Sequence, residues 1–175
     1  MFLVQISVKI LEKKLNENKN ESLKYLKQEP LNIDDKNITS LVNYMNNYGH
    51  YPMYNASDIK YFKTGELQFE DLKKELKKAK RFIFLEYFIV AEGVLLDSII
   101  EILKEKASEG VEVRFMYDGM CPFNGIPYDY PETLKKYGIK AKMFSPVTAI
   151  ISTYQNNRDH RKIVIIDGNI AYTGG

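Results

Sequence analysis

The sequence predicts an α/β domain with a mixed, largely parallel sheet flanked by helices, preceded by a mostly helical N-terminal extension. From about residue 57 onward, strand-like and helix-like segments alternate, which is typical of a sheet whose strands are joined by helices. The run "RFIFLEYFIV" is apolar without alternation, as in a strand covered on both faces. The helical segments carry apolar residues three and four positions apart, which gives each of them one core-facing side.

The N-terminal extension is predicted to cover residues 1–54. Its start, "MFLVQISVKIL", falls short of the ~20 apolar residues that a membrane-spanning helix needs. This start is either an element packed on the domain or an amphipathic, membrane-proximal piece. The segment "NITSLVNYMNNYG" predicts a helix capped by Thr39 or Ser40, and His50 in the following loop is expected to be a surface or packing histidine.

The first elements of the sheet domain, predicted to cover residues 55–175, follow in order. "DIKYFKTGE" predicts a short strand and a turn at Thr64 and Gly65. "ELQFEDLKKELKKAK" predicts an amphipathic helix whose lysine-rich side is a solvated face. "RFIFLEYFIV" predicts a strand, and "GVLLDSIIEILKEKASEG" predicts a helix that ends at Gly110.

The remaining elements continue the alternation. "VEVRFMYD" predicts a strand, and the loop after it leads to "YPETLKKYG", a short helix with Pro131 in its first turn. "IKAKMF" predicts another strand. The closing stretch "HRKIVIIDGNIAYTGG" predicts a strand, a turn at "DGN" and a hairpin partner.

Composition narrows the function classes. The 25 Lys and Arg residues nearly balance the 23 Asp and Glu residues, and a net charge of +2 does not favour a nucleic-acid partner. A single cysteine, Cys121, excludes an intrachain disulfide and a multi-cysteine zinc site. The sequence has no metal-ligand cluster, so no metal or other cofactor is expected.

The closing stretch carries the chemistry. His160 and Lys162 are two residues apart, so on a strand both point to the same face, and Asp167 follows at the turn. An imidazole beside an ammonium group suits a phosphoryl or phosphodiester group. The lysine holds the non-bridging oxygens, and the neutral histidine attacks phosphorus or moves a proton.

An isolated His-x-Lys pair is more often packing than catalysis, but the full pattern is longer. His160 and Lys162 are followed by four residues, then Asp167, six further residues, and Gly174-Gly175. This pattern resembles the signature of the phospholipase D superfamily. The blocks "FIFLEYFIVAEG", "LKEKASEGVEVRFMYD", "YGIKAKMFSPV" and "NNRDHRKIVIIDG" are similar to the first catalytic half of a bacterial cardiolipin synthase.

The resemblance implies a division of roles. In that superfamily two such motifs meet, one histidine forms a phosphohistidine, and the other protonates the leaving alcohol and activates the incoming one. His160 would be the nucleophile or the acid/base, and Lys162 would bind the phosphate. Asp167 would be a structural partner that fixes the turn, and Gly174 and Gly175 would allow close approach of the backbone.

The resemblance also implies the substrate and the setting. A cardiolipin synthase joins two phosphatidylglycerols and releases glycerol. The implied partners are this phospholipid, the membrane surface and a second motif half, supplied in cis or by dimerisation. The implied location is the bacterial cell membrane, peripherally or through segments outside this sequence.

Four other residues are candidates for site support. Glu86 interrupts an apolar strand and is expected to hydrogen-bond a site imidazole, unless it simply faces solvent at a strand end. Asp118 ends a strand and either lines the pocket or caps a turn. Asn157 and Arg158 are candidates for the phosphate entrance, although Arg158 has Asp159 or another carboxylate as an alternative partner.

The sequence also departs from the family pattern. It has no second His-x-Lys motif, and it ends before the asparagine that the family places two residues after the Gly-Gly. We therefore expect a truncated chain with half an active site that does not turn over lipid alone. Two alternatives remain: a homodimeric phospholipase D-like nuclease or phosphodiesterase, and a non-catalytic relic or interaction domain.

Overall fold

The computed structural model describes residues 2–26, 33–54, 58–147 and 158–174, with the backbone alone for residues 2–11. The chain divides into two compact units, residues 1–61 and residues 62–175. The predicted boundary between residues 54 and 55 adjoins residues 55–57, which lie outside the described residues, and it stays a prediction.

The first unit contains two helices and a π-helical turn: α1 (Phe2–Leu23), α2 (Lys36–Tyr44) and Met45–Gly49. Asp35 caps α2, because its carboxylate accepts from the backbone N–H groups of Asn37 at 2.7 Å and Ile38 at 3.2 Å. The predicted caps, Thr39 and Ser40, are wrong. Both lie inside the helix, where their hydroxyls donate back to carbonyls four residues earlier.

The start of the chain is helical, since α1 begins at Phe2. Among the helices that the structure describes, none combines the length and the apolar character needed to cross a bilayer.

The second unit is a mixed α/β structure. Its elements are α3 (Gly65–Lys78), β1 (Phe82–Tyr87), α4 (Val94–Ser108), β2 (Glu112–Asp118), a 3₁₀ turn (Cys121–Asn124), α5 (Tyr130–Lys135), β3 (Lys140–Phe144), β4 (Ile163–Ile166) and β5 (Ile170–Thr173). The strand order is β3-β2-β1-β4-β5. Pairing is parallel among β1, β2 and β3, and antiparallel from β1 to β4 and from β4 to β5. The predicted mixed sheet with helices is confirmed.

Strand β1 separates two environments. Ile83 and Leu85 are buried and belong to the core, together with apolar residues of α3 and α4. Because strand side chains alternate, the opposite face of β1 carries Phe82, Phe84 and Glu86, all half-buried. Glu86 is therefore on the face away from the hydrophobic core.

The predicted short strand after residue 57 is wrong, since residues 58–62 form no strand. Thr64 instead caps α3, since its hydroxyl oxygen accepts from the backbone N–H of Leu67 at 3.5 Å. The threonine that predicted a turn is thus the cap of the helix.

Candidate functional site

His160 and Lys162 lie just before β4, not on it, because the pairing of β4 with β1 ends at Ile163 opposite Glu86. The expectation that strand alternation aligns them is therefore wrong. Another arrangement brings them together. His160 stacks on Phe88, with ring centroids 3.9 Å apart, and Lys162 Nζ lies 5.5 Å from the centroid of the same ring. The Lys162 ammonium group also donates to the His160 carbonyl oxygen at 2.7 Å.

Phe88 is positioned by the end of β2. Its carbonyl oxygen accepts from the backbone N–H of Asp118 at 3.1 Å. Two residues on, the backbone N–H of Val90 donates to the buried Cys121 Sγ at 3.3 Å. Sequence analysis did not single out Phe88. The one feature of the sequence that could have indicated Phe88 is its place directly after a strand, two residues beyond Glu86, which interrupts that strand.

Asp167 fastens the β4–β5 turn to the start of β1. Its carboxylate accepts from three consecutive backbone N–H groups, those of Lys80 at 2.9 Å, Arg81 at 2.8 Å and Phe82 at 2.9 Å. The Arg81 guanidinium donates to the Asp167 carbonyl oxygen. Burial alone would raise the pKa of the Asp167 carboxyl, but the three N–H donors and the Arg81 charge together lower the pKa.

Asp167 also adopts a left-handed backbone conformation, with φ of 55°. An aspartate tolerates this conformation better than most residues because its short polar side chain bonds locally. In this structure its carboxylate contacts are to the backbone of β1 and the residues just before it.

Glu86 is part of a small charged cluster. Arg161 Nη2 lies 2.8 Å from Glu86 Oε1 and 2.9 Å from Asp159 Oδ2. Burial and a hydrogen bond with Asp159 raise the pKa of Glu86 to about 7. The hydrogen bond from Arg161 holds the pKa of Asp159 well below its usual range.

These contacts differ from the expected ones. In the described part of the chain, Glu86 contacts Arg161 and Asp159 instead of an imidazole. The predicted imidazole partner stays a prediction. Sequence analysis missed Arg161 as a site residue, and its position between His160 and Lys162 was the one signal for it.

Asp118 and Arg158 form a buried ion pair. Arg158 Nη1 lies 3.2 Å from Asp118 Oδ1, and the same carboxylate oxygen accepts from the backbone N–H of Met120 at 2.8 Å. Arg158 Nη1 also donates to the Ser145 carbonyl oxygen at 2.7 Å. Of the alternatives from sequence, the structure therefore has the turn cap for Asp118 and the carboxylate pair for Arg158. The pair ties the segment before His160 to the ends of β2 and β3.

Close approach of the backbone occurs at a different glycine from the one expected. A Cβ at Gly174 would lie 3.9 Å from the Gln68 amide, an ordinary contact, so no close backbone approach occurs there. At Gly119 a Cβ would lie 2.4 Å from the Ser145 carbonyl oxygen and 2.5 Å from Pro146 Cα. Only glycine fits at residue 119. Gly175 and Asn157 lie outside the described residues.

The arrangement presents three nitrogen groups in sequence: the exposed imidazole of His160, the Arg161 guanidinium and the Lys162 ammonium. The Arg161 guanidinium is paired with Glu86 and Asp159, whereas Lys162 and His160 share the Phe88 ring. An ammonium group beside an imidazole suits a phosphate, because the ammonium holds its oxygens and the imidazole attacks phosphorus or exchanges protons with the ester oxygens.

Comparison with known proteins identifies the family of the chain. Residues 72–175 match the family model described as "Cardiolipin synthase, PLD-like domain". The chain is 51% identical over 136 residues to a Streptococcus mutans protein named "Uncharacterized protein", covering 78% of this chain and 30% of that protein.

Two further relatives are named "Cardiolipin synthase". The one from Geobacillus kaustophilus is 38% identical over 128 residues, covering 73% of this chain and 25% of the relative. The one from Alkalihalophilus pseudofirmus is 34% identical over 172 residues, covering 98% of this chain and 34% of the relative. The chain thus spans about a quarter to a third of the length of these relatives.

Proposed function

Because this chain belongs to the family of cardiolipin synthase, PLD-like domains, we propose that it supplies one half of a phosphatidyltransferase active site of the cardiolipin synthase type. The substrate is phosphatidylglycerol, and the product of the complete enzyme is cardiolipin. Its place of action is the surface of the bacterial cell membrane.

One observation carries the proposal: the His160 imidazole and the Lys162 ammonium group lie against the same ring, that of Phe88. This geometry supports a nucleophile and a phosphate ligand acting on one phosphodiester. Stacking fixes the plane of the imidazole, so that its edge nitrogens point away from the ring face. A group already oriented for attack loses less entropy when the reaction occurs.

In the proposed reaction, a His160 ring nitrogen attacks the phosphorus of one phosphatidylglycerol. A nitrogen–phosphorus bond forms, and the bond from phosphorus to the headgroup glycerol oxygen breaks. Glycerol leaves with a proton from the histidine of a second motif. That histidine then accepts the proton from the hydroxyl of a second phosphatidylglycerol, whose oxygen attacks phosphorus and releases His160.

In this proposal Lys162 holds the non-bridging oxygens throughout, and the reverse assignment exchanges the roles of the two histidines. Asp167, Gly174 and Gly175 support the segment, Glu86 supports its charge balance, and the second motif comes from elsewhere in a longer protein or from a second copy. By this proposal the 175-residue chain alone does not turn over lipid.

The half-site is tested with bis(p-nitrophenyl) phosphate, a diester whose leaving group departs without a protonating partner. We expect a burst of at most one p-nitrophenolate per chain. His160→Ala should abolish the burst, Lys162→Ala should slow it tenfold or more, and His50→Ala, which removes the other histidine, should leave it unchanged.

Two results would contradict the proposal. A burst that survives His160→Ala would show that His160 is not the nucleophile. Sustained turnover of phosphatidylglycerol by the chain, lost in His160→Ala, would replace the half-site with a complete homodimeric enzyme.

A further inference from the structure

A cavity of about 480 Å³ lies beside the C-terminal end of β1. Its lining includes Phe69 and Leu72 of α3, Leu85 and Tyr87 of β1, and Ile100 of α4. Apart from Glu92, the described residues that line it are apolar or aromatic. The volume falls within the range of roughly 300–1,000 Å³ that is usual for small-molecule sites.

The rim of this cavity exposes apolar side chains to solvent. Ile89 is 46% exposed, Val94 is 83% exposed and Leu95 is 63% exposed, and all three belong to the cavity lining. Large apolar side chains grouped around an apolar cavity mark a surface that meets an apolar ligand or a membrane.

The cavity and the candidate site share one short stretch of backbone. Tyr87 lines the cavity, Phe88 supports His160, and Ile89 returns to the cavity rim. The Phe88 carbonyl oxygen accepts from the N–H of Asp118 at the end of β2, and the Val90 N–H donates to Cys121 in the following 3₁₀ turn, so both contacts hold this stretch in place. The cavity lies on the side of β1 that carries Leu85 and Tyr87, and Phe88 is not part of its lining, so a molecule that reaches both His160 and the cavity passes its apolar chain around the end of β1.

We infer that this cavity binds one acyl chain of the phospholipid whose phosphate group meets His160 and Lys162. The inference rests on the proposed function and assigns the substrate a second anchor within this chain. The charged part of the ligand must stay outside, because an unpaired charge in an apolar cavity is costly and Glu92 repels phosphate and carboxylate groups. A single hydrocarbon chain meets both conditions.

The test compares two probes by isothermal titration calorimetry on the 175-residue chain. Decanoyl-lysophosphatidylglycerol, kept below its micelle concentration, carries headgroup and chain, whereas glycerophosphoglycerol carries the headgroup alone. Ala91→Phe places a ring in the cavity wall, and Leu95→Glu puts a charge on its exposed rim. Ala171→Phe is the matched control, at an exposed position of β5 outside the lining.

We expect the lysolipid to bind at least tenfold more weakly to both cavity variants and unchanged to Ala171→Phe. Binding of glycerophosphoglycerol should not change in any of the three. Far-UV circular dichroism and thermal unfolding confirm that each variant is folded. Lysolipid binding that is absent, or equal in wild type and both cavity variants, would overturn the inference.

The variant Lys162→Ala separates this inference from the proposed function. If Lys162→Ala weakens the binding of both probes while Ala91→Phe and Leu95→Glu have no effect, the acyl-chain site is rejected and phosphate binding by Lys162 is supported. If instead the two cavity variants weaken lysolipid binding and Lys162→Ala has no effect, the acyl-chain site is supported and the phosphate-binding role of Lys162 is rejected.

Discussion

The imidazole of His160 lies nearly parallel to the ring of Phe88, with planes inclined by 23° and centroids 3.9 Å apart. The two residues come from separate parts of the fold, since Phe88 follows β1 and His160 precedes β4. The ring of Phe88 is thus a platform that sets the direction of the His160 nitrogens. This relationship makes Phe88 a positioning residue in the proposed reaction.

Replacing Phe88 with leucine should slow the p-nitrophenolate burst tenfold or more, because the imidazole loses its stacking surface. The free energy of unfolding should fall by only about 1 kcal/mol, the scale of one aromatic contact. The matched control is Phe84→Leu, on the same face of β1, whose ring stacks on Phe82 and not on His160. Equal burst rates in the two variants, or a pH profile of the burst unchanged by Phe88→Leu, would rule out the positioning role.

Asp167→Ala should lower the free energy of unfolding by about 2–4 kcal/mol, since three backbone N–H groups lose a charged acceptor. Asp167→Asn keeps one acceptor oxygen and tolerates the positive φ, so its loss should be about half as large. Urea unfolding measures both variants. Equal losses in the two variants would show that the carboxylate bonds do not stabilise the turn.

The stabilisation by Asp167 should depend on pH. Its folded pKa lies below the unfolded value, so its contribution is complete above the unfolded pKa, about 3.9, and is lost as the pH falls through the folded pKa. The difference between wild type and Asp167→Ala should therefore shrink below about pH 4. A difference that stays constant from pH 7 to pH 3 would contradict this.

Glu86 should make stability fall as the pH rises. Its folded pKa of about 7 lies above the ordinary value of a glutamate, 4.5, so the folded state binds the extra proton between these two pH values. Glu86→Gln should match wild type at pH 4.5 and exceed it by about 1 kcal/mol at pH 8, after allowance for solvent screening. Asp159 acts in the opposite direction, but its window lies below pH 4, because its pKa is lowered.

The control for this pH dependence is Glu105→Gln, an exposed glutamate on α4. Thermal unfolding measured from pH 4.5 to pH 8 should give parallel curves for wild type and this control. A Glu86→Gln curve that is also parallel to wild type would mean that Glu86 carries no bound proton at neutral pH.

Arg158→Ala should lower the free energy of unfolding by about 3 kcal/mol, because it leaves the fully buried Asp118 carboxylate without its cation. The double variant Asp118→Asn, Arg158→Met should recover most of this loss, since it removes both charges. Arg114→Ala breaks an exposed pair with Glu112 and should cost about 0.5 kcal/mol. Denaturant unfolding of the three variants checks the order, and an Arg158→Ala loss as small as that of Arg114→Ala would contradict it.

Much of the fold follows from local sequence pattern. The helices of the second unit and strands β1 to β5 match the segments that apolar spacing indicates. Burial of one face of an element determines both the spacing of its apolar residues and the type of element that forms. The antiparallel placement of β4 beside β1 was not predicted, since strand order depends on contacts between distant segments.

The site was less predictable. The motif indicates which residue types act, but not the length of β4, whose pairing with β1 stops at Ile163 opposite Glu86. The Phe88 platform and the Asp118–Arg158 pair join residues far apart in sequence, so neither leaves a periodic signal. The "DGN" segment predicts the turn at Asp167 locally, whereas the hydrogen bonds of its carboxylate to residues 80–82 also join distant parts of the sequence.

The tight approach at Gly119 couples two parts of the molecule mechanically. A side chain there would push on the backbone of Ser145 and Pro146, and the Ser145 carbonyl oxygen is also held by Arg158. Arg158 stands two residues before His160, so we expect a single methyl group at residue 119 to disturb the contact that holds the segment before the imidazole. We therefore expect residue 119 to influence the position of the histidine indirectly, through Ser145 and Arg158, although residue 119 contacts neither the histidine nor any phosphate ligand described above.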